Sequence, residues 1–119
     1  DLIKSHIDKP LITVKTGEIV GHAIERMKMY KISQIPVEDN TGFVGSLDET
    51  DLLREFMENK DISKMPIKDV MNKPFPIVKK ITPIEEVCKL MDKHNNAVLV
   101  ELGDGKYHII TKHDVISRL

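Results

Sequence analysis

Apolar residues along this chain fall into two spacings that alternate in a fixed order, and the order occurs twice. Pro10-Leu11-Ile12-Thr13-Val14 reads as a short extended segment. Over about residues 18 to 31, Ile19, Val20, Ala23, Ile24, Met27 and Tyr30 keep a 3.6-residue stripe, which predicts a helix with Thr16 as its N-cap. Ile35-Pro36-Val37 predicts a short strand, with Pro36 confined to an edge or a bulge because it has no N–H to give a ladder. Asp39-Asn40-Thr41-Gly42 predicts a hairpin turn into a strand from Phe43 to Leu47. A helix follows with Leu52, Leu53, Phe56 and Met57 inward.

After a connector around Asp61 to Asn72 the order returns. Pro74-Phe75-Pro76-Ile77-Val78 repeats the extended segment. Thr82-Pro83-Ile84-Glu85 predicts a capping box with proline at the first helical position, and Ile84, Val87, Cys88 and Met91 form the inner stripe. Ala97-Val98-Leu99-Val100 predicts a buried strand, Gly103-Asp104-Gly105 a turn, and Tyr107 to Ile110 the return strand. The last helix is expected from Thr111 to the end. Val14 and Val78 lie 64 residues apart, Val37 and Leu99 62, and Asp51 and Asp114 63. Offsets that differ by one residue are what loop insertions leave, so the chain is an internal duplication. The fold expected is α/β (α+β), two tandem repeats at 1–60 and 61–119, each a short sheet packed with helices. A pseudo-twofold axis would relate them and leave a cleft where equivalent loops meet.

Composition narrows the classes of function. Hydrophobic residues make up 40% and charged residues 31% of 119, an ordinary globular balance. Net charge is −1 with no block of five or six like charges, which argues against nucleic-acid or membrane binding by bulk electrostatics. No apolar run approaches the ~18 residues of a membrane span. The single cysteine, Cys88, makes no internal disulfide and is expected in the core, and a reducing cytoplasm is the expected location. The start at Asp1 is read as that of a fragment of something longer. His108 and His113 have no recognised ligand spacing, and no metal site is expected. His22 and His94 are expected to be solvated or capping, the methionines mostly core filler, and Lys28, Lys31, Lys79 and Lys80 solvated.

Gln34-Ile35-Pro36-Val37, Asp69-Val70-Met71 and the strand-to-helix stretches ending Asp48-x-x-Asp51 and Thr111-x-x-Asp114 resemble, in this order and twice over, a pair of cystathionine-β-synthase (CBS) domains, a Bateman module. Pro10-Leu11, Gly21-His22-Ala23-Ile24-Glu25, Ser33-Gln34, Pro74-Phe75-Pro76 and Ile110-Thr111-Lys112-His113-Asp114 are similar, more narrowly, to the C-terminal tail of cystathionine β-synthase. The resemblance implies a regulatory module attached to a pyridoxal-phosphate catalytic domain, not itself an enzyme, with no intrinsic cofactor. It also implies a homodimer through CBS pairs.

The resemblance further implies one pocket for an adenosine-containing ligand, S-adenosylmethionine or AMP, ADP or ATP. Leu11, Ile12, Ile35, Pro36 and Ile109 would wall the adenine, with Pro10 beside them and the chain at Ile32, Ser33 and Gln34 along its edge. An ionised Asp114 can accept from both hydroxyls of a ribose, about 1.5–3 kcal/mol for each charge-assisted bond. Thr111 offers a hydroxyl at a helix start, and His113 lies beside it. Thr111-x-x-Asp114 is equally a helix cap worth about 1 kcal/mol with no ligand at all. The pseudo-equivalent pocket takes Phe75, Pro76, Ile77, Asn95, Asn96, Ala97, Leu47, Asp48 and Asp51. It is expected to be empty or weak, because Asp48 stands where serine or threonine is common and would repel a phosphate. Ser33 stands where some regulated enzymes carry an acid, which counts against S-adenosylmethionine. The competing reading is a ligand-free dimerisation module.

Overall fold

The computed structural model describes residues 11–92 and 95–117, and Pro10 and His94 lie outside them. Two compact units are present, Ile12–Pro74 and a second running from Phe75 onward that includes Leu11. Each holds a three-stranded sheet and helices in the same order, the mixed α+β architecture that the two periodicities predict.

In the first unit, β1 (Val14–Lys15) leads to α1 (Val20–Tyr30), β2 (Gln34–Asp39), β3 (Gly42–Asp48) and α2 (Glu49–Glu58). β1 pairs parallel to β2, and β2 pairs antiparallel to β3 through the expected turn. There Asp39 accepts from the backbone N–H and hydroxyl of Thr41 at 2.7 and 2.6 Å. Val14, Val20, Ala23, Met27, Ile35, Val37, Leu47 and Leu52 form the core, with Ile62 and Ile67 from the connector. The connector's two short 3-10 turns, Ile62–Lys64 and Ile67–Asp69, thus belong to this unit's packing.

Four expectations need correction here. Thr16 does not cap α1, which starts at Val20. Its first N–H groups are met by backbone, Val20 N–H donating to Met65 C=O at 2.9 Å, so the connector does the capping. Pro36 sits in the central strand. Its partner Ser46 turns both backbone groups outward to Asn72, so the missing N–H faces the other side, where two-residue β1 has not begun. Of the four apolar residues expected inside α2 only Leu52 is buried; Leu53, Phe56 and Met57 are exposed. Met29 is exposed as well.

Gly45 marks a close approach. A Cβ there would stand 2.9 Å from Met71 Cγ and 3.0 Å from Asn72 O, because the segment Met71–Asn72 lies along β3. Ser46 and Asn72 exchange two backbone hydrogen bonds at 3.0 and 2.8 Å.

The second unit comprises β4 (Ile77–Lys79), α3 (Ile84–Leu90), β5 (Ala97–Gly103), β6 (Lys106–Thr111) and α4 (Lys112–Ile116). β4 is parallel and β6 antiparallel to central β5. Val98, Val100, Ile110, Val87 and Val115 make its core, while Ala97 and Leu99, on the opposite face of β5, are also buried. The turn uses positive φ at Gly103, Asp104 and Gly105, which glycine accepts without a Cβ penalty. Thr82 does not cap α3. Pro83 keeps an extended ψ of 145° and is itself the N-cap, so the helix starts one residue later than expected. Cys88 is exposed rather than core: α3 has two turns and only Val87 reaches the interior.

Candidate functional site

β6 ends at Thr111, whose extended backbone turns the chain into α4. Thr111 Oγ1 accepts from Asp114 N–H at 3.2 Å. In return Asp114 Oδ2 accepts from both the N–H and the hydroxyl of Thr111, each at 2.9 Å. This closed capping box satisfies two of the N–H groups that a helix start leaves open. The pair thus forms the helix cap that the motif offers, with the acid turned back onto its own helix, and a cap and a ribose contact can share one carboxylate. Asp114 is only 5% exposed. Ile109 is buried, on the face of β6 opposite core residue Ile110; His113 is exposed and Leu11 half-buried. Lys112 fixes the preceding loop, its N–H on Asn96 C=O at 3.2 Å and its Nζ on Asp92 C=O at 2.6 Å.

The corresponding junction of the first unit is built otherwise. Asp48 caps α2, Oδ1 accepting from Thr50 N–H at 2.8 Å and Oδ2 from Gln34 Nε2 at 3.0 Å. Asp51 takes no part in that cap. Its Oδ1 accepts from Arg54 Nη1 at 2.9 Å and its Oδ2 from Asn72 Nδ2 at 2.7 Å. Ile12, Ile32, Ser33 and Gln34 are half-buried; Ile35 and Leu47 are in the core; Pro36 is buried on the other face of β2.

The residues expected for the two pockets are interleaved within each unit. Gln34, of one set, hydrogen-bonds Asp48 of the other, and Thr111 is the register partner of Ala97. Phe75 is buried, Pro76 C=O accepts from Leu99 N–H at 2.8 Å, Ile77 is exposed, and Asn95 and Asn96 are half-buried.

Two features went unread in the sequence. A groove of about 550 Å³ lies between α1 and α2, lined by Ile24, Met27, Leu52, Leu53, Phe56 and Ile62, and carrying Lys28, Lys31 and Glu49. Of the expected site residues it includes only Ile32 and Ser33. Its signal was present as two i, i+3, i+4, i+7 stripes, 24/27/28/31 and 49/52/53/56. The second feature is Glu18, gripped by both guanidinium nitrogens of Arg26 at 3.0 and 2.9 Å and by Lys15 N–H at 2.8 Å, with His22 Nδ1 at 3.2 Å. The Arg26 bond chiefly, helped by Lys15 and His22, lowers the Glu18 pKa to about 2. Among the described residues no cluster of histidine, cysteine or acidic side chains could hold a metal, and no helix is long and apolar enough to cross a membrane.

Two units with one topology, each joining a return strand to a capped helix, define a class of tandem α+β module. The chain belongs to the CBS domain family, whose profile matches residues 3–58 and 67–119. It is 33% identical over 113 residues to the inosine-5'-monophosphate dehydrogenase of Methanocaldococcus jannaschii, a match that covers 92% of this chain and 22% of that protein. The fold is that of a CBS-domain containing protein of Agrobacterium tumefaciens, with a TM-score of 0.83 at 21% identity and the whole of both chains covered. The CBS domain pair of protein MJ0100, solved with 5'-methylthioadenosine and S-adenosyl-L-methionine, is similar at a TM-score of 0.81 and 25% identity over 99% of this chain and 98% of that one.

Proposed function

We propose that this chain is a regulatory module that binds an adenosine-containing metabolite and acts on a catalytic domain joined to it in a longer parent. The observation that carries the reading is the Thr111–Asp114 box at the end of β6, with its buried carboxylate. It holds a carboxylate in a fixed orientation, where ribose hydroxyls can share or replace the Thr111 hydroxyl as donors. The adenosine compounds on the MJ0100 pair support the ligand class. S-adenosylmethionine leads and the adenine nucleotides follow. Ile109 and Leu11, of the same unit as the box, are proposed for the adenine. The sequence resemblance favours a cystathionine-β-synthase-like catalytic domain, whereas the M. jannaschii relative favours a dehydrogenase. A ligand regulates only if its affinity differs between two states of the module.

Calorimetry with S-adenosylmethionine, methylthioadenosine, AMP and ATP tests the reading. Asp114→Ala is expected to weaken binding at least tenfold while the fold persists with about 1 kcal/mol less stability from the lost cap. Equal binding by that variant removes ribose recognition from Asp114. If no compound binds more tightly than about millimolar, roughly −4 kcal/mol, the sensor reading fails and homodimeric assembly is left as the role.

A further inference from the structure

We propose that Asp51 is a latch on the segment by which the chain leaves the first unit, and that Asp48 assigns it that role. Positions 48 and 51 correspond to 111 and 114, yet the two pairs behave differently. Thr111 both donates to and accepts from the residue three positions on, so the pair closes on itself. Asp48 has no hydroxyl like that of Thr111, and both of its carboxylate oxygens serve as acceptors. It takes Thr50 N–H and the Gln34 amide, has nothing to offer a second carboxylate, and repels it. Asp51 is thereby turned outward to Arg54 and Asn72.

Asn72 is the residue at which the departing segment is strapped to β3. Its backbone exchanges two hydrogen bonds with Ser46, whose hydroxyl also donates to Lys73 C=O at 2.6 Å. Against these neutral bonds the Asp51–Asn72 contact is the charge-assisted strap, and it ties the first turn of α2 to the same point. A ligand that recruited Asp51 would have to release Asn72. The first repeat has therefore given its acid to the connector, which leaves one ribose acid per chain, Asp114. The latch stands on the geometry alone; the one-site consequence rests on the ligand reading above.

The test uses the whole chain. Amide exchange is followed at Ser46 and Asn72, and calorimetry is run with S-adenosylmethionine and, separately, AMP. Asp51→Ala should speed exchange of both amides about tenfold, and Asn72→Ala should do the same at Ser46, which guards against one variant failing to fold. Unchanged exchange in the folded variants overturns the latch whether or not any probe binds. Asp48→Thr restores a hydroxyl at the cap, so it should loosen Asn72 and raise the stoichiometry from one ligand to two. Loosening with the stoichiometry still at one overturns the one-site consequence. A wild-type chain that binds neither probe overturns the ligand reading and that consequence with it, and the exchange data then decide the latch.

Discussion

Gly45→Ala offers the sharpest check on the packing of β3. The new methyl would meet Met71 Cγ at 2.9 Å and Asn72 O at 3.0 Å. Met71 ends in a flexible thioether and can yield. The carbonyl cannot yield without stretching the Ser46 N–H to Asn72 O bond, which is already 3.0 Å long. Overpacking of this kind costs about 1–3 kcal/mol. Replacing glycine in a strand by alanine returns roughly 0.5–1 kcal/mol of chain entropy. The net expectation is a loss of about 1–2 kcal/mol, or roughly 4–8 °C in Tm if the chain melts in one transition. Urea unfolding followed by circular dichroism measures it. Adding Met71→Ala should recover part of the loss, and the remainder is the share of the carbonyl. A Gly45→Ala protein within 0.3 kcal/mol of the parent, or more stable, would refute the claim that the connector needs this glycine.

Other outcomes follow from single contacts. Because Glu18 titrates near 2 when folded and near its ordinary 4.5 when unfolded, its ion pair stabilises fully above about pH 5 and the contribution fades as pH falls toward 2. The pair is partly solvated, so Glu18→Gln should flatten the pH–stability curve in that window by only about 1 kcal/mol. Cys88, being exposed, should react with a thiol reagent in the native protein at close to the rate of a free peptide; protection until unfolding would return it to the core. Lys31 closes α1 with φ of 56°, so Lys31→Gly should stabilise by about 0.5–1 kcal/mol in thermal unfolding.

The repeat order, both hairpins and the buried strand at Ala97–Val100 were legible because turn chemistry and period-2 alternation act over a few residues. Part of what failed depended on partners distant in sequence. Thr16 looked like a cap because nothing local announces that Met65 would supply one. For Pro36 the rule about strands offers an edge or a bulge, whereas what decides is the side its nitrogen faces, one residue before the register shift at Val37/Glu38. Leu53, Phe56 and Met57 kept a helical period, and a period cannot tell a core face from an outward apolar one. At the candidate site, the difference between Asp48 and Thr111 could be read directly. The destination of the displaced Asp51, an asparagine 21 residues on, could not.

The place of Ile62 and Ile67 has a practical consequence for anyone who wishes to express one repeat alone. Truncation after residue 60 removes two interior side chains, each worth about 1.5–3 kcal/mol of burial, from a piece whose whole margin of stability is of the order of 5 kcal/mol. Such a fragment should be recovered unfolded, whereas one extended through Pro74 retains every residue of its interior.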